Sequence, residues 1–108
     1  MELYLKRRNS STNAIGDYDI ESGTMIVKKG STVSESVHSS DKFRGATAIQ
    51  KLRDLHCKGL VVKEDVKFSS ASTAANFVAG GSTNGLVAWR NSKGEKLRDM
   101  IKNNTSKE

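Results

Sequence analysis

The first quarter of the chain alternates apolar and polar positions with the two-residue period of a β-strand. Leu3 and Leu5 fall on one side of a short run and Tyr4 on the other, which predicts a strand with one buried face. Residue pattern and β-propensity together predict strands at residues 2–6, 13–18 and 24–28, with a turn at 19–23. The chain is therefore expected to open as a β-meander.

The period then changes to that of a helix. Between residues 41 and 57 the positions at helical spacing are Gly45, Ala48, Ile49, Leu52, Leu55 and His56. Polar side chains occupy the other faces, so this segment is predicted to be an amphipathic helix that ends before Gly59. The preceding residues 32–40, rich in Ser and Thr and containing His38, are predicted to form an extended loop.

The second half mixes short strands and helices. Strands are predicted at 60–63, 66–68 and 85–90, helices at 73–79 and 95–102, a turn at 91–94 and a frayed tail at 103–108. Together these elements predict an α+β fold, a small antiparallel or mixed sheet with about three helices, in one domain over residues 1–102.

Charge adds a hypothesis about partners. The chain has 18 Lys and Arg against 12 Asp and Glu, a net charge of +6. Residues 1–40 contain five basic and five acidic residues, so residues 41–108 carry the whole excess. A basic balance favours nucleic acid or another anionic partner, and ordinary solvated lysines are the alternative. We expect the second half to dominate any binding, with less effect from Lys6, Arg7 and Arg8.

Other residue patterns exclude several classes of site. One cysteine, Cys57, permits no intramolecular disulfide, and with two histidines it cannot form a Cys-rich zinc site. Adjacent His56 and Cys57 point about 100° apart on a helix, so they do not make a catalytic dyad. Phosphate-loop and dinucleotide motifs, a signal peptide and a transmembrane run are all missing from the sequence. We expect a cytoplasmic protein with no cofactor, no metal and no catalytic residue.

Two motifs each have a structural and a functional interpretation. Ser69, Ser70 and Ser72 precede a helix, where they cap its start and could also hold a phosphate. Asn84 with Gly85 indicates a tight turn into the next strand, and Asn84 could alternatively contact a base edge or a phosphate. Trp89 is predicted to be in the core and Arg90 on the surface.

Several short motifs also resemble a known family. They are the runs 68–75 (Phe-Ser-Ser-Ala-Ser-Thr-Ala-Ala) and 82–85 (Ser-Thr-Asn-Gly), with Gly80, Trp89, Gly94 and Leu97 at matching spacing, and the upstream segments 25–31 and 53–62. In these motifs the chain resembles the domain of unknown function numbered four-three-five-seven. That family is attached to GIY-YIG nucleases and restriction-modification proteins and is similar to the RAMA domain, which is associated with restriction enzymes and adenine methylases.

The chain departs from the usual residues of this family at two positions. Ala71 stands where the family usually has Pro, and Leu86 stands where it usually has an aromatic residue. The resemblance implies an accessory, DNA-contacting module that is not itself catalytic.

These observations together predict a non-catalytic DNA-binding accessory domain. Its expected partners are double-stranded DNA and a nuclease or methyltransferase, with no membrane association. The candidate DNA-binding residues are Lys51, Arg53, Lys67, Ser69, Ser70, Ser72, Asn84, Arg90 and Lys93. The alternative is a protein-interaction module that docks a nuclease or methyltransferase, with the basic charge incidental. A third class, a small hydrolase, would depend on Cys57.

Overall fold

A computed structural model describes residues 1–7, 12–35, 46–81 and 83–105 of the chain. Its strands are β1 Glu2–Lys6, β2 Asn13–Tyr18, β3 Met25–Val27, β4 Cys57–Lys58, β5 Val61–Val62 and β6 Val66–Phe68. Its helices are α1 Ala46–His56, α2 Ala71–Ala79, α3 Gly85–Ala88 and α4 Leu97–Thr105. The predicted α+β class is confirmed.

The described strands form a four-stranded antiparallel sheet in the order β1-β2-β3-β6 and a two-stranded hairpin of β4 and β5. Alternation explains the main sheet, because Leu3, Leu5, Met25 and Val27 face the core, while Tyr4 and Ile26 between them are on the other face and only partly buried. Thr32 bridges both Asn13 and Val61 and so connects the sheet with the hairpin. The antiparallel alternative of the prediction is therefore the correct one for the described strands.

Helices cover the inner face of the sheet. The core contains the aromatic side chains of Phe68, Phe77 and Trp89, with Val78 and Leu97 from the helices. Trp89 is completely buried and Arg90 is exposed, so both of those predictions are confirmed. Within the described residues, no helix is long and apolar enough to cross a membrane.

The segment 85–90 corrects the predicted fold. It was expected to be a strand, but Gly85–Ala88 forms one turn of helix and only Arg90 makes β-bridges, to Tyr4 and Lys96. Asn84 starts this turn in an extended conformation, with its side chain accepting a hydrogen bond from the Leu86 N–H. The predicted tight turn at Asn84 and Gly85 into a strand is therefore wrong, because the two residues start a helical turn and neither has a positive φ.

Smaller differences concern the helix ends. The predicted helix 41–57 is helical from Ala46 to His56, and its predicted start and His38 lie outside the described residues. Leu55, expected on the apolar stripe of this helix, is 61% exposed. Helix α2 begins at Ala71, two residues before the prediction, and α4 continues to Thr105 through part of the predicted frayed tail. The last three residues lie outside the described part.

Candidate nucleic-acid interface

The start of α2 is a packed joint between two helices. Gly85 lies so close to this start that an added Cβ would be 2.3 Å from the carbonyl carbon of Ala71 and 2.5 Å from the Ser72 nitrogen. The Gly85 N–H donates to Ser72 Oγ at 3.0 Å, and the indole N–H of Trp89 donates to the Ala71 carbonyl at 3.0 Å. We call these four residues, Ala71, Ser72, Gly85 and Trp89, the α2–α3 joint.

The joint accounts for most of the predicted serine site. Ser70 is the N-cap of α2, and its Oγ accepts the Thr73 N–H at 3.1 Å. The Ser72 hydroxyl accepts the N–H of Gly85, and the backbone of Gly85 fills the space beside the Ser72 nitrogen. Ser69 is exposed and belongs to neither contact. The start of α2 is therefore in contact with α3, and Ser70 has the predicted capping role.

Arg53 requires a correction. We expected it beside Lys51 on an exposed basic face, but Arg53 is only 7% exposed while Lys51 is exposed. Its guanidinium donates to the carbonyls of Phe77 at 2.8 and 3.0 Å, Val78 at 3.2 Å and Ser34 at 2.9 Å. The bonds to Phe77 and Val78 satisfy carbonyls in the last turn of α2, which lack partners within the helix.

The physical reason for this placement is helical spacing. Arg53 follows Ile49 by four residues and is adjacent to Leu52, so it belongs to the stripe that faces α2. Burial lowers the pKa of Arg53, but the usual pKa of a guanidinium is so high that the charge is kept. The side chain is a structural cation and is not available to a phosphate.

Lys67 lies in an acidic environment. It is exposed on β6 and lines a shallow depression together with Asp17, Asp19 and Glu21. Hydrogen bonds from Ser22 and from the Glu21 N–H hold the pKa of Asp19 below its usual range, and the charge of Lys67 contributes to this lowering. A phosphate at Lys67 would therefore meet neighbouring carboxylates.

An open cavity with basic character runs along the edge of the sheet at β1. It is a groove of about 960 Å³, and its walls come from the N-terminal strand and the segment 83–94. We define the groove by its lining residues Tyr4, Lys6, Arg7, Thr83, Asn84, Val87, Ala88, Arg90, Asn91, Ser92 and Gly94. It contains three cations and, among these described lining residues, no carboxylate.

A backbone bridge brings the two walls together. The Tyr4 N–H donates to the Arg90 carbonyl at 2.7 Å, and the Arg90 N–H donates to the Tyr4 carbonyl at 3.0 Å. Directly opposite residues of an antiparallel pair place their side chains on the same face, so Tyr4 and Arg90 are neighbours. The bridge therefore combines cations from both halves of the sequence at one site.

Tyr4 is the aromatic residue of the groove. The Lys6 ammonium is 5.6 Å from the centre of its ring, within the range of a cation–π contact. The Tyr4 hydroxyl donates to the Glu2 carboxylate, and this bond, with a small contribution from burial, raises the pKa of Tyr4. The phenol therefore stays neutral at physiological pH.

The predicted DNA-binding residues fall into separate regions. Asn84 and Arg90 line the groove, and exposed Lys93 lies between two lining residues, Ser92 and Gly94. Lys51, Arg53, Lys67, Ser69, Ser70 and Ser72 are not among its lining residues. Tyr4, Lys6 and Arg7 were not among the predicted DNA-binding residues, although the sequence shows both the outward position of Tyr4 and the basic run that follows it. Arg8 lies outside the described residues.

The surroundings of Cys57 and His56 bear on the catalytic role that was considered for these two residues. Burial raises the pKa of the Cys57 thiol, although the charges of Arg53 and Lys63 oppose that shift. His56 Nδ1 is 3.1 Å from the Glu64 carboxylate, while Asp65 pairs with Lys28 at 3.1 Å. Within the part of the chain that the structure describes, no three His, Cys, Asp or Glu side chains cluster to hold a metal ion.

The family described as domain of unknown function (DUF4357) matches residues 3–101. This match spans both walls of the groove and the α2–α3 joint, and the chain belongs to this family. Searches of the curated proteins and of the solved structures gave no match to the chain.

Proposed function

We propose that this DUF4357 domain is a non-catalytic DNA-binding module that uses the groove to contact the phosphate backbone. The observation that carries the proposal is the charge of the groove, where Lys6, Arg7 and Arg90 converge without a lining carboxylate among the described residues. Phosphate contacts by Lys and Arg supply most of the sequence-independent affinity of DNA-binding proteins.

The location of the acidic residues supports this choice of surface. The depression at Lys67 is lined by three carboxylates, those of Asp17, Asp19 and Glu21. It lies at the end of β2 opposite to Asn13, the residue that pairs with Lys6 of the groove. A polyanion is attracted by the groove and repelled by this acidic region, so the charge pattern favours binding at the groove over binding at the depression beside Lys67. Lys93, beside the groove, extends the basic surface.

The proposed biological setting follows from the resemblance described above. As an accessory domain of GIY-YIG nucleases or restriction-modification proteins, the module would supply DNA affinity to a catalytic partner. A cytoplasmic location is part of the same proposal. The proposed function differs from one expectation from the sequence, because it places Lys6 and Arg7 of the first half in the main DNA-binding surface.

Fluorescence anisotropy with a fluorescein-labelled DNA duplex at several salt concentrations tests the proposal. The test variant replaces Lys6, Arg7 and Arg90 by Gln, and the matched control replaces exposed Lys51, Lys58 and Lys67 by Gln. Both variants lose three positive charges, so net charge is equal. We expect the groove variant to bind more weakly and to lose about 0.9 of salt slope for each phosphate contact removed.

The outcomes separate the candidate functions. Equal weakening by the two variants would mean that overall charge, and not the groove, attracts DNA. If the wild-type protein shows no salt-dependent binding at all, the protein-interaction function is favoured instead, because a mainly apolar interface has little salt dependence.

The non-catalytic part of the proposal depends on Cys57. A buried thiol with a raised pKa is largely protonated at neutral pH and is a weak nucleophile. We expect Cys57→Ala to leave DNA affinity unchanged and to cost only modest stability, as for a small buried apolar side chain. A hydrolytic activity of the wild type that disappears in this variant would contradict the proposal.

A further inference from the structure

Phosphate binding leaves one feature of the groove unused, the aromatic ring of Tyr4. Tyr4 lies on the outer face of β1 and is half-buried, between Ile15 of β2 on one side and Arg90 on the other. Ile15 is 40% exposed and does not line the groove. The sheet therefore presents a partly exposed aromatic ring to solvent next to three cations.

The remaining lining residues supply small polar groups and an apolar wall. Thr83 and Ser92 carry hydroxyls, and the Asn84 side-chain amide nitrogen is a donor beside them. Val87 and Ala88 contribute methyl groups. An aromatic ring, cations and polar donors in one open groove form the combination that contacts the base, phosphate and edge of a nucleotide, respectively.

The ring discriminates between two forms of nucleic acid. In an intact duplex each base is stacked on its neighbours, so a side chain outside the helix cannot use the face of a base. In an unpaired strand the faces are available, and stacking on an aromatic side chain tolerates any base because every base has a π-face. A solvent-facing tyrosine therefore adds affinity for the single strand only.

We propose that the groove binds an unpaired nucleic-acid strand, with one base stacked on Tyr4 and adjacent phosphates on Lys6, Arg7 and Arg90. This inference rests on the proposed function, because both use the same cations, and it names the form of nucleic acid that the site prefers. The Lys6 ammonium lies over the ring at 5.6 Å, so a base that stacks on this face displaces a flexible side chain, which stays close enough to contact the adjacent phosphate.

Anisotropy titrations test the inference with a fluorescein-labelled deoxythymidine oligonucleotide and a duplex of equal length at one salt concentration. We expect the single strand to bind more tightly than the duplex. Tyr4→Leu is expected to weaken single-strand binding about tenfold, the scale of one lost stacking contact, and duplex binding less than about twofold. Tyr4→Phe keeps the ring and is expected to keep the affinity.

Ile15→Ala is the matched control, because Ile15 is the directly opposite neighbour of Tyr4 on the same exposed face. Its affinity for the single strand is expected to equal that of the wild type. Urea unfolding, followed by the fluorescence of buried Trp89, confirms that each variant is folded at the concentrations used.

Four results would overturn the inference. A duplex that binds with salt dependence and at least as tightly as the single strand refutes the stacking role but leaves the proposed function intact. Equal losses for both ligands in Tyr4→Leu, or an equal loss in Ile15→Ala, would assign Tyr4 a general role in the surface. Failure of the wild type to bind either ligand refutes the inference and the proposed function together.

Discussion

The α2–α3 joint and the groove both include residues of the segment 84–90, yet the two sites are opposite in charge and in exposure to solvent. In the joint, Gly85 and Trp89 face inward, and backbone or indole N–H groups find acceptors at the start of α2. In the groove, Asn84 and Arg90, each next to one of those residues, face solvent. The joint contains no formal charge, whereas three cations line the groove.

This contrast indicates which physical requirement the sequence motifs meet. The Ser72, Gly85 and Trp89 motif residues are joined by the close approach of two helices, so their order and spacing describe a packing requirement. The groove cations, Lys6, Arg7 and Arg90, lie outside those motif residues. Substitutions in the joint should therefore change the stability of the fold, and substitutions in the groove should change ligand affinity.

The largest expected effect is that of Trp89→Ala. Its side chain is completely buried, so we expect a loss of about 3–5 kcal/mol in the free energy of unfolding. Urea denaturation followed by circular dichroism measures this loss. A stable, folded Trp89→Ala protein that has lost DNA binding would instead assign the ring to the interface and break the comparison.

Gly85→Ala tests the close approach directly. The added Cβ would meet backbone atoms of Ala71 and Ser72, which cannot rotate away, so α3 must separate from α2. We expect a cost of about 3 kcal/mol or more. Leu86→Ala, at the next position with an exposed side chain, is the control and should cost far less. Similar unfolding midpoints for the two variants would contradict the joint.

Arg53→Met and Lys51→Gln compare a buried and an exposed cation of the same helix. Arg53→Met leaves the Phe77 carbonyl without the guanidinium that donates to it, whereas the Val78 carbonyl keeps the Ser34 N–H, and we expect a loss of about 2–3 kcal/mol. Lys51→Gln should change stability by less than about 0.5 kcal/mol. Denaturant titrations of both variants would refute this assignment if Arg53→Met were as stable as Lys51→Gln.

The smallest expected effect is a gain of stability from Ala71→Pro. Ala71 is the first residue of α2, where Pro is favoured, and the preceding Ser70 has the extended conformation that Pro requires (φ −153°, ψ 158°). We expect about 0.4–1 kcal/mol of stabilisation through the unfolded state. A lower thermal midpoint than that of the wild type would show that the ring does not fit beside Gly85.

Local patterns predicted much of the fold. The predicted bounds of β1, β2 and β6 agree with those of the structure, and in each of these strands buried residues alternate with more exposed ones. The segment 85–90 was misassigned because a short apolar run fits a strand and a helical turn equally well. Its conformation is decided by the Asn84 cap and by contact with α2, and the latter is a non-local interaction.

The candidate site was less predictable for the same reason. Arg90 and Asn84 were identified, but the bridge that brings Tyr4 to Arg90 joins positions at opposite ends of the sequence. A net charge counted by halves of the chain could not reveal that Lys6 and Arg90 share a groove. The helical spacing from Ile49 did contain the signal that Arg53 is buried.

The buried guanidinium of Arg53 and the exposed cations of the groove should respond differently to ionic strength. Mobile ions screen exposed charges over about 10 Å at 0.1 M salt, but they reach a buried cation and its carbonyl partners much less. A salt concentration that releases a polyanion from the groove should therefore leave the α1–α2 contact in place. Under the proposed function, release of a bound strand would respond to ionic strength, while the contact that Arg53 makes between α1 and α2 would respond much less.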